Sequence, residues 1–406
     1  MFHLICTVAI LMTSPLLVSE AFAAEPTPAL KTIVDGNTTF ALDLYSILKK
    51  EKGNLFFSPY SISSALTMTY GGARGDTAKE LAKTLHFTLG AEKTHLAFTE
   101  LNMKFDDIQN KGNVHLHIAN SLWPQKDHPF LPEYLTLLER YYGVAVTPVD
   151  YMKATEKACK IINAWVEDRT KGKIKDLIGQ GVLNPLTVLV LVNAIYFKGN
   201  WASQFDPKHT TESDFSLLDG GRTRVSMMYQ KGSFGYGEIE GAQLLELPYT
   251  GNQLSMILIL PNEPKRLSIL EDELTPANLD SYLSRIVVKD VDVFLPKFKV
   301  TWGTFELKGP LQALGIQKAF SSGADFSGMD GTRSLSIDSV LHKAFVEVNE
   351  EGTEAAAATA VIMTRGGSLE TPTFRADHPF LFLIRDKTTG SILFLGKILD
   401  PSAIQN

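Results

Sequence analysis

The feature that most constrains this chain is the segment from Glu350 to Asp377, which joins two β-forming segments. Leu341 to Asn349 before it and His378 to Asp386 after it are both predicted strands. A connection this long between two strands of a compact domain is unusual, and such connections are often functional. We therefore expect this loop to be central to what the protein does.

The composition of the loop suits a segment that can itself become a strand. Alternate side chains of a strand face the same side of a sheet. One alternation of the loop carries only small or β-branched residues, namely Thr353, Ala355, Ala357, Thr359 and Val361. Such a face could slide between two existing strands at little steric cost, and Glu354 would point the other way. An alanine-rich helix or a flexible linker is the alternative interpretation.

The residues on both sides of the loop resemble the serpin family. FVEVNEEGTEAAAAT before it and FRADHPFLFLI after it are similar to the hinge and carboxyl-terminal signatures of that family. The resemblance continues at Asn54 to Thr77, Ile162 to Ile178, Leu191 to Trp201, Leu245 to Tyr249, Leu254 to Pro261 and Val293 to Phe298. It therefore covers essentially all of the chain after its amino terminus.

The pattern of elements predicts one α+β domain. Among its predicted elements are helices from Phe40, over Pro132 to Tyr142 and over Leu267 to Leu283, strands over Val144 to Val149 and Ile392 to Ile398, and a disordered segment over residues 24–30. Helical periodicity dominates the first third and strands dominate the rest, without an internal repeat or a linker rich in Pro, Gly and Ser. The resemblance implies a single serpin domain over residues 24–406 with three β-sheets and eight or nine helices. It also implies an exposed reactive-centre loop at about residues 350–377.

The amino terminus has the pattern of a cleaved targeting segment. Leu4 to Val18 is apolar, and Ala21, Phe22 and Ala23 form a small-x-small cleavage pattern. We predict a signal peptide over residues 1–23 and a protein that is secreted, or periplasmic if the source is bacterial. The first residues lack Lys and Arg, and an uncleaved anchor is the alternative.

Charge and cysteine content narrow the range of partners. A net charge of -6 gives no reason to expect nucleic acid, and no later apolar run is long enough for a membrane span. We expect a monomer without an internal disulfide, because Cys159 is the only cysteine after the leader, and its helical spacing indicates a buried, inert thiol. Asn37 is either a glycosylation site or a helix cap.

Motifs of enzymes are missing from the sequence. There is no G-x-S-x-G, H-E-x-x-H or complete phosphate loop, and the nine His residues show no metal-ligand spacing. We therefore predict a protein that is not an enzyme and uses no metal or cofactor. A catalytic pairing of His342 with Ser58 or Ser61 is a weak alternative, because nothing else in the sequence builds an oxyanion hole.

The resemblance assigns roles to three groups of residues. The shutter cluster, a polar group beneath the centre of the main sheet, comprises Ser58, Ser61, Asn193 and His342. The breach group, at the point where the loop enters the sheet, comprises Trp201, Lys297 and Glu350. Lys297 and Glu350 match an ion pair of the family, which as an exposed pair would be worth at most about 1 kcal/mol. The hinge that would insert comprises Glu350, Glu351, Gly352, Thr353, Glu354, Ala355, Ala356, Ala357 and Ala358. Four ordinary hydrogen-bonded core residues and a core tryptophan are the plainer interpretations of the first two groups.

The scissile bond has two candidates. The usual hinge length of the family, counted from Gly352, places it at Gly366-Gly367, which would suit only an elastase-like enzyme with a small pocket. A hinge shorter by one residue places it at Arg365-Gly366, and Arg365 would fit the acidic pocket of a trypsin-like protease. We favour Arg365 on chemical grounds, although it could also be an ordinary solvated loop residue.

The resemblance implies a suicide inhibitor of serine proteases. The protease acylates on the loop, the freed segment inserts as a new central strand, and the tethered enzyme is distorted. About a dozen new ladder bonds at roughly 1 kcal/mol each would drive insertion by about 10 kcal/mol. The alternatives are a non-inhibitory carrier, storage protein or chaperone, an inhibitor of elastase-like or cysteine proteases, and a glycosaminoglycan-binding module. Residues 77–111 show no basic stripe, so glycosaminoglycan binding by this chain is not indicated.

Overall fold

The computed structural model describes residues 25–112, 114–144, 146–353 and 371–403. Most of the reactive loop and the whole predicted signal peptide lie outside these residues. Both candidate scissile bonds and the hinge positions from Glu354 to Ala358 therefore also lie outside the described residues.

The described residues form ten α-helices. They are α1 Pro28–Leu48, α2 Pro59–Gly72, α3 Gly75–Thr84, α4 Ala91–Asn110, α5 Pro132–Tyr142, α6 Tyr151–Arg169, α7 Leu267–Glu273, α8 Pro276–Leu283, α9 Lys308–Ala313 and α10 Ser327–Asp330. The sequence predicted eight or nine helices, with one continuous helix over Leu267 to Leu283. That helix is divided because Thr275 caps the backbone N–H of Asn278 and Pro276 starts a new first turn.

Fourteen strands are formed by the described residues. They are β1 Leu55–Phe57, β2 Val114–Pro124, β3 Leu189–Asn200, β4 Thr211–Ser216, β5 Arg222–Ile239, β6 Ala242–Pro248, β7 Leu254–Pro261, β8 Val287–Pro296, β9 Phe298–Glu306, β10 Ser339–Val348, β11 Gly352–Thr353, β12 Thr373–Arg375, β13 Phe380–Asp386 and β14 Ile392–Ile398. The α+β class is therefore confirmed.

These strands join into two hydrogen-bonded sheets rather than the three that were expected. The first runs in the order β1-β14-β13-β7-β6-β5-β8-β12, with β4 beside β5. The long strand β5 is the reason, because its successive parts pair with β4, β8 and β6. It thereby connects two regions that the sequence suggested would be separate sheets.

The second sheet is built around β3. Strand β2 pairs along one edge of β3, β10 pairs in parallel along the other edge, and β9 lies outside β10. The buried residues of β3 alternate between two clusters. Leu191, Ile195 and Phe197 face the main core, whereas Val192 and Tyr196 face a smaller cluster beneath α6. We call the side beneath α6 the outer face of the second sheet. Both faces of β3 are therefore covered, as its nearly unbroken apolar sequence predicted.

Two local predictions were wrong. The helix predicted from Phe40 begins at Pro28, where Thr27 accepts a hydrogen bond from the backbone N–H of Leu30, so regular structure starts earlier in the chain than expected. The strand predicted over Val144 to Val149 does not form among the described residues. There, Val149 makes only an isolated bridge to Gln125.

Asn37 is neither a helix cap nor an exposed sequon. It lies inside α1 and is 3% exposed, and its Oδ1 accepts a hydrogen bond of 2.6 Å from the hydroxyl of Ser63. A glycan is attached to the side-chain amide nitrogen, which is buried here. This position in the folded chain cannot carry a glycan without disrupting the packing of α1 on α2.

Candidate functional site

The end of β3 is where the loop begins to join the second sheet. Strand β10 pairs with β3 in parallel from Ser339 to Phe345. Beyond that point, β11 pairs antiparallel with the same edge of β3, with Gly352 opposite Asn200 and Thr353 opposite Gly199. Because β3 and β10 run parallel, a strand that continued β11 between them would be antiparallel to both, which is the geometry of two regular antiparallel ladders.

Gly352 is required by the close approach of the loop to β3. Its φ of 147° lies in a region that residues with a side chain rarely adopt. A Cβ at this position would also lie 2.2 Å from the carbonyl oxygen of Gly199. The first residue of β11 therefore has to be glycine for the chain to turn into the sheet.

Thr353 is already part of the packed interior. It is 0% exposed, and its Oγ1 lies 3.1 Å from the hydroxyl of Tyr249. The ring of Tyr249 packs at 4.9 Å on Phe197, which faces the main core. Among the residues of the loop's small-residue face, Thr353 is the one that the structure describes, and its side chain points into the main core.

The structure brings the breach group together around the start of the loop. The indole nitrogen of Trp201 donates a hydrogen bond of 3.0 Å to the carbonyl of Asn349, and its backbone nitrogen donates to Glu351 at 2.9 Å. The indole stacks on Tyr249 with ring centres 4.8 Å apart. Trp201 therefore holds both the chain before β11 and the tyrosine that contacts Thr353.

Glu350 is more deeply buried than the sequence suggested. Its side chain is 11% exposed, and its carboxylate lies 2.8 Å from the ammonium of Lys297 and 2.8 Å from the hydroxyl of Thr210. Burial raises the pKa of Glu350, but hydrogen bonds and the charge of Lys297 outweigh it and leave this pKa below its usual range. We predicted an exposed pair, whereas the carboxylate is enclosed and only Lys297 reaches solvent.

All four residues of the shutter cluster meet beneath the centre of the second sheet. Asn193 on β3 lies opposite His342 on β10, and its Oδ1 contacts His342 Nδ1. The Nδ2 of Asn193 donates to the hydroxyl of Ser61 at 2.5 Å. Ser58 caps α2 through its side chain, and its backbone nitrogen lies 3.2 Å from His342 Nε2. The cluster thus links both strands to the start of α2.

These partners define the charge state of His342. Its Nε2 accepts from the backbone of Ser58, so the proton lies on Nδ1 and is donated to Asn193. The ring is 0% exposed, and burial lowers the pKa of His342 to about 3. A catalytic pairing with a serine is excluded, because the accepting nitrogen already binds a backbone N–H and not a hydroxyl.

Asn120 also belongs to this cluster, although the sequence analysis did not identify it. It lies opposite Asn193 in the pairing of β2 with β3, and its Oδ1 accepts from the hydroxyl of Ser61 at 3.1 Å. Its Oδ1 also contacts Nδ2 of Asn193. The signal in the sequence was a lone amide in a strand of alternating apolar residues, which becomes informative only once the register is known.

We predict that stability falls with acid partly through His342. Its pKa in the folded state lies below the ordinary value of about 6.5, so below that pH the unfolded chain binds a proton that the folded chain does not. This group should lower the free energy of unfolding by up to about 1.4 kcal/mol per pH unit between about pH 6 and pH 4. Urea unfolding at several pH values measures the slope.

A pair of variants isolates this contribution. His342→Gln should flatten the slope, while His209→Gln, at an exposed position, should leave it as in the unchanged chain. Equal slopes for His342→Gln and the unchanged chain would show that the ring is not held neutral.

The other predicted features have simple positions. Cys159 is a buried residue of α6, and burial raises the pKa of its thiol, which agrees with an inert role. Within residues 25–112, 114–144, 146–353 and 371–403, no helix combines the length and apolar character of a membrane span. No group of three His, Cys, Asp or Glu side chains converges as metal ligands in the same part of the chain. Arg365, Gly366 and Gly367 lie outside it.

Comparison with known proteins agrees with this geometry. The family model described as Serpin (serine protease inhibitor) matches residues 35–401. The human leukocyte elastase inhibitor is 45% identical over 384 residues, covering 92% of this chain and 100% of that protein. Serpin48 of the insect Tenebrio molitor has a solved structure with a TM-score of 0.82 and 35% identity, covering 91% of this chain and 98% of that one. Human thyroxine-binding globulin, solved in complex with thyroxine, has a TM-score of 0.84 and 32% identity, covering 92% of this chain and 100% of that one.

The chain therefore belongs to the serpin family. The similarity extends over most of the chain and most of each relative, and the fold is the one that the sequence resemblance implied. The human relative is a protease inhibitor and not an enzyme, in agreement with the absence of catalytic motifs.

Proposed function

We propose that the chain is a suicide inhibitor of serine proteases that inserts its cleaved loop between β3 and β10. The observation that carries this proposal is the position of β11. The hinge already pairs with β3 at the end of the seam between these strands, and Thr353 already occupies the face that an inserted strand would use. Insertion would extend an existing ladder, so it needs no new nucleus.

The register of β11 supports a specific inserted arrangement. Each residue further along the loop would lie opposite the preceding residue of β3, which places Ala355 opposite Phe197 and Thr359 opposite Asn193. Thr359 would share the face of Thr353 and lie over the shutter cluster, where its hydroxyl could bond to groups that part when the strands separate. The ladder would reach the start of β3 at about Met363. Cleavage after residue 365 or 366 would therefore free a segment long enough to pair along the whole of β3.

The target class is also a proposal. A leukocyte elastase inhibitor is 45% identical to this chain, which favours an elastase-like protease and the Gly366-Gly367 bond. Arg365, one residue earlier, would suit a trypsin-like protease instead. We propose the elastase-like enzyme as the principal target, and a trypsin-like enzyme acting at Arg365-Gly366 is the second candidate.

Incubation with each protease tests the function and the target. We expect pancreatic elastase to give a band at the combined mass that survives denaturing electrophoresis, and mass spectrometry of the released fragment to show which bond was cut. Arg365→Ala should abolish any complex with trypsin and leave the complex with elastase unchanged. Clean cleavage by both enzymes without a stable complex would instead identify a non-inhibitory member.

The non-inhibitory alternative has a precedent among proteins of this fold. Thyroxine-binding globulin was solved in complex with thyroxine, so a protein of this fold can bind a small molecule.

The maturation and location of the chain remain proposals based on its sequence. We propose that residues 1–23 are removed as a signal peptide, that residues 24–406 act as a single serpin domain, and that the mature protein is secreted as a monomer. Amino-terminal sequencing of the protein recovered from culture medium tests the removal of residues 1–23 and the secretion. Retention of the intact chain inside the cell would contradict them.

A further inference from the structure

The corner between β12 and β13 fastens the carboxyl end of the reactive loop to the body of the protein. Strand β12 is three residues long and pairs in parallel along β8, with Phe374 opposite Val293. Phe374 and Ala376 are each 0% exposed, and the chain then turns through Asp377 and His378 into β13. Because so short a strand makes few ladder hydrogen bonds, the side chains at this corner add to its hold.

His378 contacts an oxygen at each of its two ring nitrogens. Its Nδ1 lies 2.9 Å from Oδ1 of Asp377, and its Nε2 lies 2.6 Å from the carbonyl oxygen of Pro261, the last residue of β7. A carbonyl oxygen can only accept a hydrogen bond, so Nε2 carries a hydrogen. The side chain of His378 is 12% exposed, so little water is available to replace either partner.

The carboxyl group of Asp377 is ionised at this corner. Burial raises the pKa of Asp377, but the hydrogen bond and charge of His378 and the charge of Arg375 outweigh burial and leave this pKa below its usual range. An ionised carboxylate can also only accept, so Nδ1 of His378 carries a hydrogen as well. With a hydrogen on both nitrogens, His378 is a cation that connects the end of β12 to the end of β7.

The other charged groups around His378 in the described part of the chain come from β12 and β5. Arg375 of β12 is a permanent cation, and its Nε lies 3.0 Å from Oδ2 of Asp377. Glu238 of β5 lines a cavity of about 390 Å³ together with His378, and it accepts a hydrogen bond of 2.6 Å from the hydroxyl of Tyr236. Strands β6 and β7 contribute uncharged groups to this cavity. Since the cavity borders the imidazole, the ring can exchange its protons with solvent.

We propose that His378 is a positioning residue of the reactive loop, and that it fastens the carboxyl end of the loop only while its ring carries both protons. Histidine is the side chain whose charge ordinarily changes between pH 5 and pH 8. Loss of either proton leaves a nitrogen lone pair facing the carboxylate of Asp377 or the carbonyl of Pro261, so an attractive contact becomes repulsive. Strand β12 then separates from β8 more often.

The consequence for inhibition rests on the proposed function. Both candidate scissile bonds precede β12 in the chain, so a loosened β12 holds the bond less firmly for the protease. Capture of the protease then becomes slower as the pH rises, apart from any change in the protease itself.

Nuclear magnetic resonance of the ring nitrogens tests the charge of His378 directly. The signals of this ring are those that are missing from His378→Arg in protein labelled with nitrogen-15 histidine. Both nitrogens should carry a hydrogen at pH 6, and one of them should have lost it at pH 9. A bare nitrogen at pH 6, or two hydrogens at pH 9, would overturn the proposal.

Hydrogen exchange measures how firmly β12 is held. Peptides that cover residues 371–378, corrected for the intrinsic exchange rate at each pH, should lose protection by about tenfold or more between pH 6 and pH 9 in the unchanged chain. His378→Arg keeps a permanent cation and should change by less than about threefold. His378→Gln should be as weakly protected at pH 6 as the unchanged chain is at pH 9.

His209→Arg is the matched control for these variants, because it makes the same change at an exposed position. It should lose protection with pH as the unchanged chain does. An equal loss in His378→Arg, or no loss in the unchanged chain, would mean that the proton on His378 does not control the hold on β12.

The rate of covalent complex formation with elastase tests the consequence. The rate for the unchanged chain divided by the rate for His378→Arg cancels the pH dependence of the protease. This ratio should fall by about threefold or more from pH 6 to pH 9. A constant ratio beside a pH-dependent exchange of β12 would overturn the role of His378 in positioning the loop. If neither chain forms a covalent complex at any pH, the proposed function fails, and hydrogen exchange still tests the proton-dependent hold on β12.

Discussion

Replacing Thr353 by Arg should convert the inhibitor into an ordinary substrate. Thr353 is 0% exposed, and its hydroxyl contacts Tyr249, so there is no solvent to receive a guanidinium at this position. Burying an unpaired charge costs at least several kcal/mol, and insertion cannot proceed past a first residue that does not fit. The protease would then complete its reaction and leave before it is distorted. The number of inhibitor molecules consumed per protease should rise about tenfold or more, since 1.4 kcal/mol already changes a partition tenfold.

Thr373→Arg provides a matched control for this change. It introduces the same side chain at the other end of the reactive loop, on β12, where residue 373 is exposed. Titration of a fixed amount of elastase with each variant, followed by denaturing electrophoresis, measures both outcomes. Thr373→Arg should keep the yield of the covalent complex. An unchanged yield with Thr353→Arg would contradict the insertion mechanism.

Cleavage within the reactive loop should make the folded protein much harder to melt. The register from β11 allows about ten further residues to pair along β3, with a similar ladder toward β10. About 10 kcal/mol of added stability, at about 1–2 °C per kcal/mol for a chain of this size, corresponds to a rise in Tm on the order of 10 to 20 °C. Scanning calorimetry of intact and nicked samples measures it.

The nicked form of Thr353→Arg is the appropriate comparison for that experiment. It carries the same broken bond but cannot begin insertion, so its Tm should remain close to that of the intact variant. A nicked unchanged chain that melts at the temperature of the intact chain would mean that the loop stays outside the sheet. Loop insertion would then not stabilise the protein as estimated, whether or not the protease is trapped in a covalent complex.

Elements with strong local patterns were predicted at the correct residues. The helix over Pro132 to Tyr142 and the strand over Ile392 to Ile398 have the predicted bounds, because a proline at the first helical turn and an unbroken apolar run are local signals. The start of α1 was missed because Thr27 and Pro28 lie in the segment over residues 24–30 that the sequence analysis predicted to be disordered. Val144 to Val149 has β-forming residues, but its packing beside β2 allows only one bridge.

The candidate site divides in a similar way. The alternation of side chains between the two faces of a strand was enough to predict that Thr353 and the small residues at alternate positions share a face. The structure places the buried Thr353 on the face toward the core. Its partner Tyr249 is 104 residues away in sequence, so no local pattern could identify it. Asn120 and the enclosed carboxylate of Glu350 were missed for the same reason, since both depend on the register or packing of distant strands.

The sequence by itself determined the family, the α+β class and the small-residue face of the loop, because these follow from motifs and periodicities that neighbouring residues carry. Only the tertiary structure decided that the hinge already pairs with β3, that His342 is neutral and that Asn37 is buried. Each of these depends on which distant strands lie side by side. Pairing between strands is settled by burial over the whole core and not by any short stretch of the chain.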